Sequence, residues 1–134
     1  MDDPASPVLD ALAAEFKLHE LAIEDCRNMR QRAKLEEFEG HLFLIINTLH
    51  FEQGKMECWF GELDVFVGKD FVVSVYNGPS RTVNAVKPKF VAEPKLAHPG
   101  RLLMTFFDLA VDLYLPVLDE IEDQIGRASC RERV

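Results

Sequence analysis

HLFLIINTLHF, residues 41–51, decides the fold. Leu42 to Ile46 is an unbroken apolar run, and the stretch mixes aromatic and β-branched residues. A short run of this kind reads as a strand, and the lack of alternation reads as a strand covered on both faces. Two covered faces require helices or further sheet above and below.

The segments that follow supply the rest of the sheet. EQG (52–54) reads as a turn. KMECWFGELDVFVG (55–68) alternates, with Met56, Cys58 and Phe60 and then Leu63, Val65 and Val67. Gly61 breaks that phase, which predicts a bulge. GKD (68–70) turns the chain, and FVVSVY (71–76) is another strand. Short turns join antiparallel neighbours, so the expected sheet is a meander.

Helices flank it. In SPVLDALAAEF, Ser6 is placed to cap a helix and Pro7 suits its first position. Val8, Leu9, Leu12 and Phe16 then recur at helical spacing. A second, short helix covers Glu20 to Cys26, with Asn28 as its terminator. NGPS (77–80) ends the sheet and starts a helix near Pro79, limited by Pro88 and Pro94. AEPKLAHPG reads as a loop. From Arg101, one long helix carries Leu102, Phe106, Leu109, Leu113, Val117 and Ile121 on a stripe, and Pro116 predicts a kink. The expected class is a layered α/β domain with a small, mainly antiparallel sheet of three or four strands, packed by helices and ending in a long C-terminal helix.

The chain has 134 residues, 48% of them hydrophobic, enough for one domain with a modest core. Its net charge of −8 argues against a nucleic-acid partner and suits cations. The three cysteines, Cys26, Cys58 and Cys130, form no C-x-x-C pair, which reads as a reducing compartment rather than a disulfide framework. The histidines lack zinc spacing. There is no signal-peptide pattern and no run long enough to cross a membrane. No nucleophile–base pair or phosphate loop is recognised, so an enzyme is not expected.

The last ten residues, IGRASCRERV (125–134), differ in character. Removing three arginines and one glutamate from Gly126 onward takes the net charge from −8 to −10. The segment matches one reading frame of a common DNA-sequencing adapter. Residues 1–124 are therefore expected to be the domain, and 125–134 a tail outside it.

The densest chemistry lies just before the central strand. LAIEDCRNMRQRAKLEEF (21–38) sets the acidic pair Glu24–Asp25 beside Arg27, Arg30, Arg32 and Lys34. Ion pairing among neighbours explains such a cluster, and so does a cation site. Farther on, Asp108 sits among Phe106, Phe107, Leu109 and Ala110, where a carboxylate needs a partner. Asp119 to Asp123 reads as a solvated face.

Three stretches, LHELAIEDCRNMRQRAKLEEFEGHLFLIINTL, ELDVFVGKDFVVSVYNGPS and LLMTFFDLAVDLYLPVLDEIEDQI, resemble the cytoplasmic domain of CorA-type magnesium and cobalt transporters. The likeness rests on an acidic pair closing a short helix and on Asn28, Gln31, Arg32 and Lys34. It continues in a strand opening His-Leu-Phe and in an Asp-x-x-x-Asp helix running into Leu-Asp-Glu-Ile-Glu-Asp. It covers roughly residues 10 to 125. Ala33 stands where the family usually has proline, as does Glu20 after His19. The family's Gly-Met-Asn pore signature and membrane helices do not occur here, so the chain is expected to be a fragment.

The resemblance implies a homopentamer in the cell's inner membrane, with this domain on the cytoplasmic side sensing Mg2+. It also implies weak regulatory Mg2+ at subunit boundaries. Asp25 would be the main ligand with Glu24 beside it, and Asp108 the matching acid on a neighbour's long helix. Arg27, Arg30, Arg32 and Lys34 would be a structural charge cluster. A proton-coupled zinc transporter of the ZntB type is the alternative within the superfamily. A free-standing soluble α/β binding domain is the alternative outside it.

Overall fold

The computed structural model describes residues 1–28, 31–52, 57–78 and 80–132. Two helices lead, α1 (Val8–Phe16) and α2 (Glu20–Arg27). Four strands follow: β1 (Lys34–Phe38), β2 (His41–Glu52), β3 (Glu57–Gly68) and β4 (Val72–Tyr76). Then come α3 (Arg81–Ala92), a 3-10 turn over Pro94–Ala97, α4 (Pro99–Asp112) and α5 (Leu115–Glu132). The strands form one sheet in sequence order, every pairing antiparallel.

Both faces of the sheet are covered, as the central run requires. One layer packs Leu9 of α1 and Leu18, Ala22, Ile23 and Cys26 in and beside α2 against Phe43, Ile45, Phe66, Val73 and Val75. The other packs Val83 and Val86 of α3 and Phe106 and Ala110 of α4 against Ile46, Leu63, Val65 and Tyr76. Odd residues of β2 serve the first layer and Ile46 the second, so β2 has no solvent side over this stretch. The result is a helix–sheet–helix sandwich.

Several local expectations change. The acidic run KLEEF is β1, an edge strand the reading of 21–38 as a charged connection passed over. Phe38 pairs with His41 across the two-residue turn Glu39–Gly40, where Gly40 takes φ +86°, a backbone region costly for other residues. The β2–β3 register runs unbroken through Thr48↔Gly61, so the expected bulge at Gly61 is absent. Glycine breaks a hydrophobic pattern without breaking a ladder. The expected turn at 52–54 and Met56 fall largely outside the described residues. Beyond Gly61 the β2–β3 ladder outruns its helices, leaving Phe60 73% exposed.

Pro88 lies inside α3 rather than limiting it. Ser80 Oγ caps the start of this helix, accepting from Val83 N at 3.3 Å. At Pro116 the effect is larger than a kink: α4 stops at Asp112 and α5 restarts at Leu115. The proline ring has no N–H and crowds the carbonyl four residues back, which is that of Asp112. The Tyr114 hydroxyl donates to Asn47 O at 2.7 Å and fixes the break onto β2. The predicted stripe faces inward at Phe106 and Val117, but Ile121 is exposed. At the opposite end, Met1 lies along the free edge of β4, its amino group donating to Ser74 O and its carbonyl accepting from Tyr76 N, both at 2.9 Å.

Candidate functional site: an acid pair at the end of a short helix

The local sequence sets α2 in place at both ends. The His19 imidazole Nδ1 accepts from Leu21 N at 3.2 Å, capping the first turn. The His19 backbone N–H donates to His41 Nε2 at 3.0 Å, tying the helix start to β2. Ala22, Ile23 and Cys26 are the buried face of α2. Three-to-four spacing then puts Glu24 in solvent and leaves Asp25 half-buried at the rim, facing β1.

There Lys34 takes hold of it. Lys34 Nζ lies 2.6 Å from Asp25 Oδ2 and 2.5 Å from Glu36 Oε1. These two hydrogen bonds raise the Lys34 pKa, the Asp25 bond first. Arg27 turns the other way and pairs with Asp10 of α1 at 2.5 Å. Arg32 is exposed, and Arg30 lies outside the described residues. The Gln31 N–H donates to Glu62 Oε1 at 2.8 Å, and its side-chain amide to Asn28 O at 3.0 Å. Lys34 and Arg27 are thus each paired with a nearby acid.

Asp108 is a different matter. The expected apolar surroundings are absent, because Asp108 is exposed while Phe106 and Ala110 are buried. Helical geometry explains it: residues 106 and 110 share the inward face, and 108 sits about 200° around from 106. More telling is the sheet between the two predicted sites. Asp25 is on α2, in one layer, and Asp108 is on α4, in the other. The fold does not bring them together within one chain. Among the described residues no three His, Cys, Asp or Glu side chains are grouped closely enough to hold a metal ion.

One acid escaped the sequence reading. Asp64, on β3, is fully buried, and among the described residues its carboxylate oxygens meet no nitrogen or oxygen donor, only the Cys26 thiol. It shares the α2 face with Glu62 and Phe66, and the Cys26 thiol of α2 faces it. Burial above all, and then the Glu62 charge, push the Asp64 carboxyl up to about 8. Burial also drives the Cys26 thiol upward, with Asp64 adding to it. Burial pushes the imidazole of His41, 5% exposed, below its ordinary value. A signal for Asp64 was present in the ELDVFV pattern. Asp64 keeps phase with Phe66, and an acid inside a strand covered on both sides is buried whichever way it points.

With this geometry in place, likeness to known proteins can be stated. The family model described as "CorA-like Mg2+ transporter protein" matches residues 1–131. The chain is 34% identical over 113 residues to the "Putative metal ion transporter YfjQ" of Bacillus subtilis, covering 83% of this chain. It is 24% identical over 121 residues, 88% of the chain, to the cobalt/magnesium transport protein CorA of Thermotoga maritima. It spans 34% of the length of each of these relatives. In three dimensions it matches the full-length CmaX protein with a TM-score of 0.78 at 17% identity, over 93% of this chain and 39% of that one. The soluble domain of CorA from Methanocaldococcus jannaschii matches with a TM-score of 0.70 at 14% identity, over 92% of this chain and 50% of that one. These two likenesses carry the fold, and the match over residues 1–131 carries the conclusion that the chain belongs to the CorA-like Mg2+ transporter family.

Proposed function

We propose that this chain is the cytoplasmic metal-sensing domain of a transporter for divalent cations, magnesium or cobalt, and that it binds rather than catalyses. The observation that carries the reading is the family match over nearly the whole chain. The arrangement of acids supports the sensing role. Asp25 is held at the rim by Lys34 with Glu24 in solvent beside it, and Asp108 is exposed beyond the opposite face of the sheet. Acids separated in this way can share an ion only between two copies of the domain.

The outward face of α4 and α5 supports assembly of copies. Met104 and Val111 of α4 and Leu115, Leu118 and Ile125 of α5 are exposed large apolar side chains. In the proposed mechanism, Mg2+ sits between Asp25 and Glu24 of one copy and Asp108 of the next. Magnesium keeps several waters and is held by one or two carboxylates, so such a site is weak, about 10⁻⁴–10⁻³ M, and empties when the ion is scarce. Lys34 is then the counter-ion that holds Asp25 while the site is empty. Loss of the ion leaves facing carboxylates to repel, copies shift, and a membrane pore beyond this domain opens. A homopentamer in the cell membrane is the assembly proposed.

The test is protease protection of the longer protein carrying this domain, with and without magnesium. Magnesium should slow cleavage after α5, and Asp25→Asn should require several-fold more magnesium for equal protection. Equal protection at equal magnesium in both proteins would remove Asp25 from the site.

A further inference from the structure

The helices on the two faces of the sheet are not charged alike. Residues 1–28, which supply α1 and α2, hold seven acids and two bases, a balance of −5. From residue 77 to residue 104, over α3 and the first turns of α4, five bases stand against one acid. That is a balance of +4 in a chain of net charge −8. The bases are Arg81, Lys87, Lys89, Lys95 and Arg101, all exposed. Among the described residues only Lys95 has an acid within ion-pair distance, Glu93 at 3.8 Å. A body with unlike charges on opposite faces attracts a second copy of itself head to tail.

Arg101 also stands on a face that α4 leaves to solvent. Arg101, Met104, Asp108 and Val111 are all exposed, and their spacing of three, four and three puts them on one side of the helix. Phe106 and Ala110 occupy the buried side. In the other layer, α2 turns Glu20, Leu21 and Glu24 outward, with Leu21 56% exposed. Among the described residues no cation lies within ion-pair distance of Glu20 or Glu24. Arg27 is taken by Asp10, and Lys34 by Asp25 and Glu36.

We propose that the exposed stripe of α4 in one copy docks on α2 of a second copy, with Arg101 paired to Glu20 and Met104 packed on Leu21. Lay the two helices parallel with Asp108 beside Glu24. Met104 then lies about 6 Å back along α4 and Leu21 about 4.5 Å back along α2, so the two apolar side chains meet. Arg101 lies about 10.5 Å back and Glu20 about 6 Å back, a gap that two extended side chains close as an ion pair. The contact is heterologous. Each copy offers α4 to one neighbour and α2 to the other, and repetition closes a ring. The contact rests on the proposed facing of α2 and α4 between copies, and it adds a hold that needs no ion. Arg101 and Met104 keep the copies together while Asp108 faces Glu24 and Asp25 across the metal site.

The experiment is disulfide cross-linking of the longer protein carrying this domain. Leu21→Cys and Met104→Cys are made singly and together, and each protein is oxidised mildly with magnesium and with a chelator. A disulfide needs Cα atoms within about 7 Å, so it reports this contact and no looser one. The double variant should give a ladder of linked copies beyond the dimer, and each single variant only the background of the chain's own cysteines. Within the double variant, Arg101→Glu should lower the linked fraction several-fold, and adding Glu20→Arg should restore it. All four positions are exposed, and matching melts verify that each variant folds. The proposal is overturned if the double variant yields no ladder, if the ladder stops at the dimer, or if Arg101→Glu leaves it unchanged. The metal reading is judged separately. A ladder of equal yield with magnesium and with chelator keeps the contact and counts against the ion. No ladder, with Asp25→Asn still shifting magnesium protection, removes the contact and keeps the ion.

Discussion

Along β3, Leu63 and Val65 serve the layer of α3 and α4, while Glu62, Asp64 and Phe66 serve the layer of α1 and α2. The side chains that β3 gives the first side are apolar. The second pairs a dense aromatic core, Phe43 against Phe66 with ring centroids 4.8 Å apart, with a buried acid two residues away. Both sides exclude water, but among the described residues of β3 only the second side carries a buried carboxyl. The contrast teaches that burial has two consequences in a single strand. Apolar side chains turn it into stability, and a buried carboxyl turns it into sensitivity to protons.

The largest effects should come from removing core volume, and they test whether both sides are packed. Phe66→Ala should destabilise the chain by about 3–5 kcal/mol, and Leu63→Ala on the other side by about 2–5 kcal/mol. Urea unfolding followed by circular dichroism measures both. A loss under about 1 kcal/mol for either would mean that its side of the sheet is not a closed core.

The next effect separates the two sides by pH. The Asp64 carboxyl is raised to about 8 in the folded chain, while an unfolded aspartate titrates near ~3.9. Between these values the folded state keeps a proton that the unfolded state has lost. Stability is therefore greatest below the lower value, falls as pH rises, and levels off above the upper one, with a slope of at most about 1.4 kcal/mol per pH unit. Asp64→Asn should remove that slope between pH 5 and pH 8. Leu63→Ala should lower the whole curve without changing its slope. If Asp64→Asn and wild type run parallel, the difference between the two sides is one of composition only.

A third, smaller effect sits at the rim of the polar side. The Asp25 and Lys34 side chains are 24% and 32% exposed, which places their ion pair between a surface contact and a buried one. A double-mutant cycle with Asp25→Asn and Lys34→Met should give a coupling of about 0.5–1 kcal/mol. A coupling of several kcal/mol would make the pair part of the fold rather than a holder for Asp25.

What was legible in the sequence follows the same division. The apolar run at 41–51 announced a strand covered on both sides, and the short turns expected at 52–54 and 68–70 announced a meander. Hydrophobic period reports these directly. β1 was not legible, because KLEEF is an edge strand whose acids face solvent or pair with lysine, so its charge hides its geometry. Pro88 and Pro116 carry the same local signal and have different outcomes. One sits in a helix that continues, and at the other the chain breaks and Tyr114 is anchored to β2. Only tertiary contacts separate the two cases. For the site, Glu24 and Asp25 stood out by their neighbours. The apolar surroundings expected of Asp108 are absent because chain neighbours on a helix point to different sides. Asp64 was overlooked because a single acid between Leu63 and Val65 looks like an ordinary solvent-facing position until both faces are known to be covered.

The smallest effect concerns the far end of the α3 and α4 side, where α5 runs past the core. Val117 is the last buried residue of α5, and among the described side chains that follow it none is buried. Ile125 is 63% exposed, and Gly126 and Arg127 are exposed as well. Deleting residues 126–134 therefore removes a glycine-containing helix end with no described core contact. Glycine inside a helix already costs about 1 kcal/mol relative to alanine, so the lost turn contributes little. In a domain of this size 1 kcal/mol corresponds to roughly 3–6 °C in Tm. The truncated chain should melt within about 1 °C of the full one, and its pH slope from Asp64 should be unchanged. A fall of several degrees would show that the segment packs against the domain and that the apolar side extends farther than Val117.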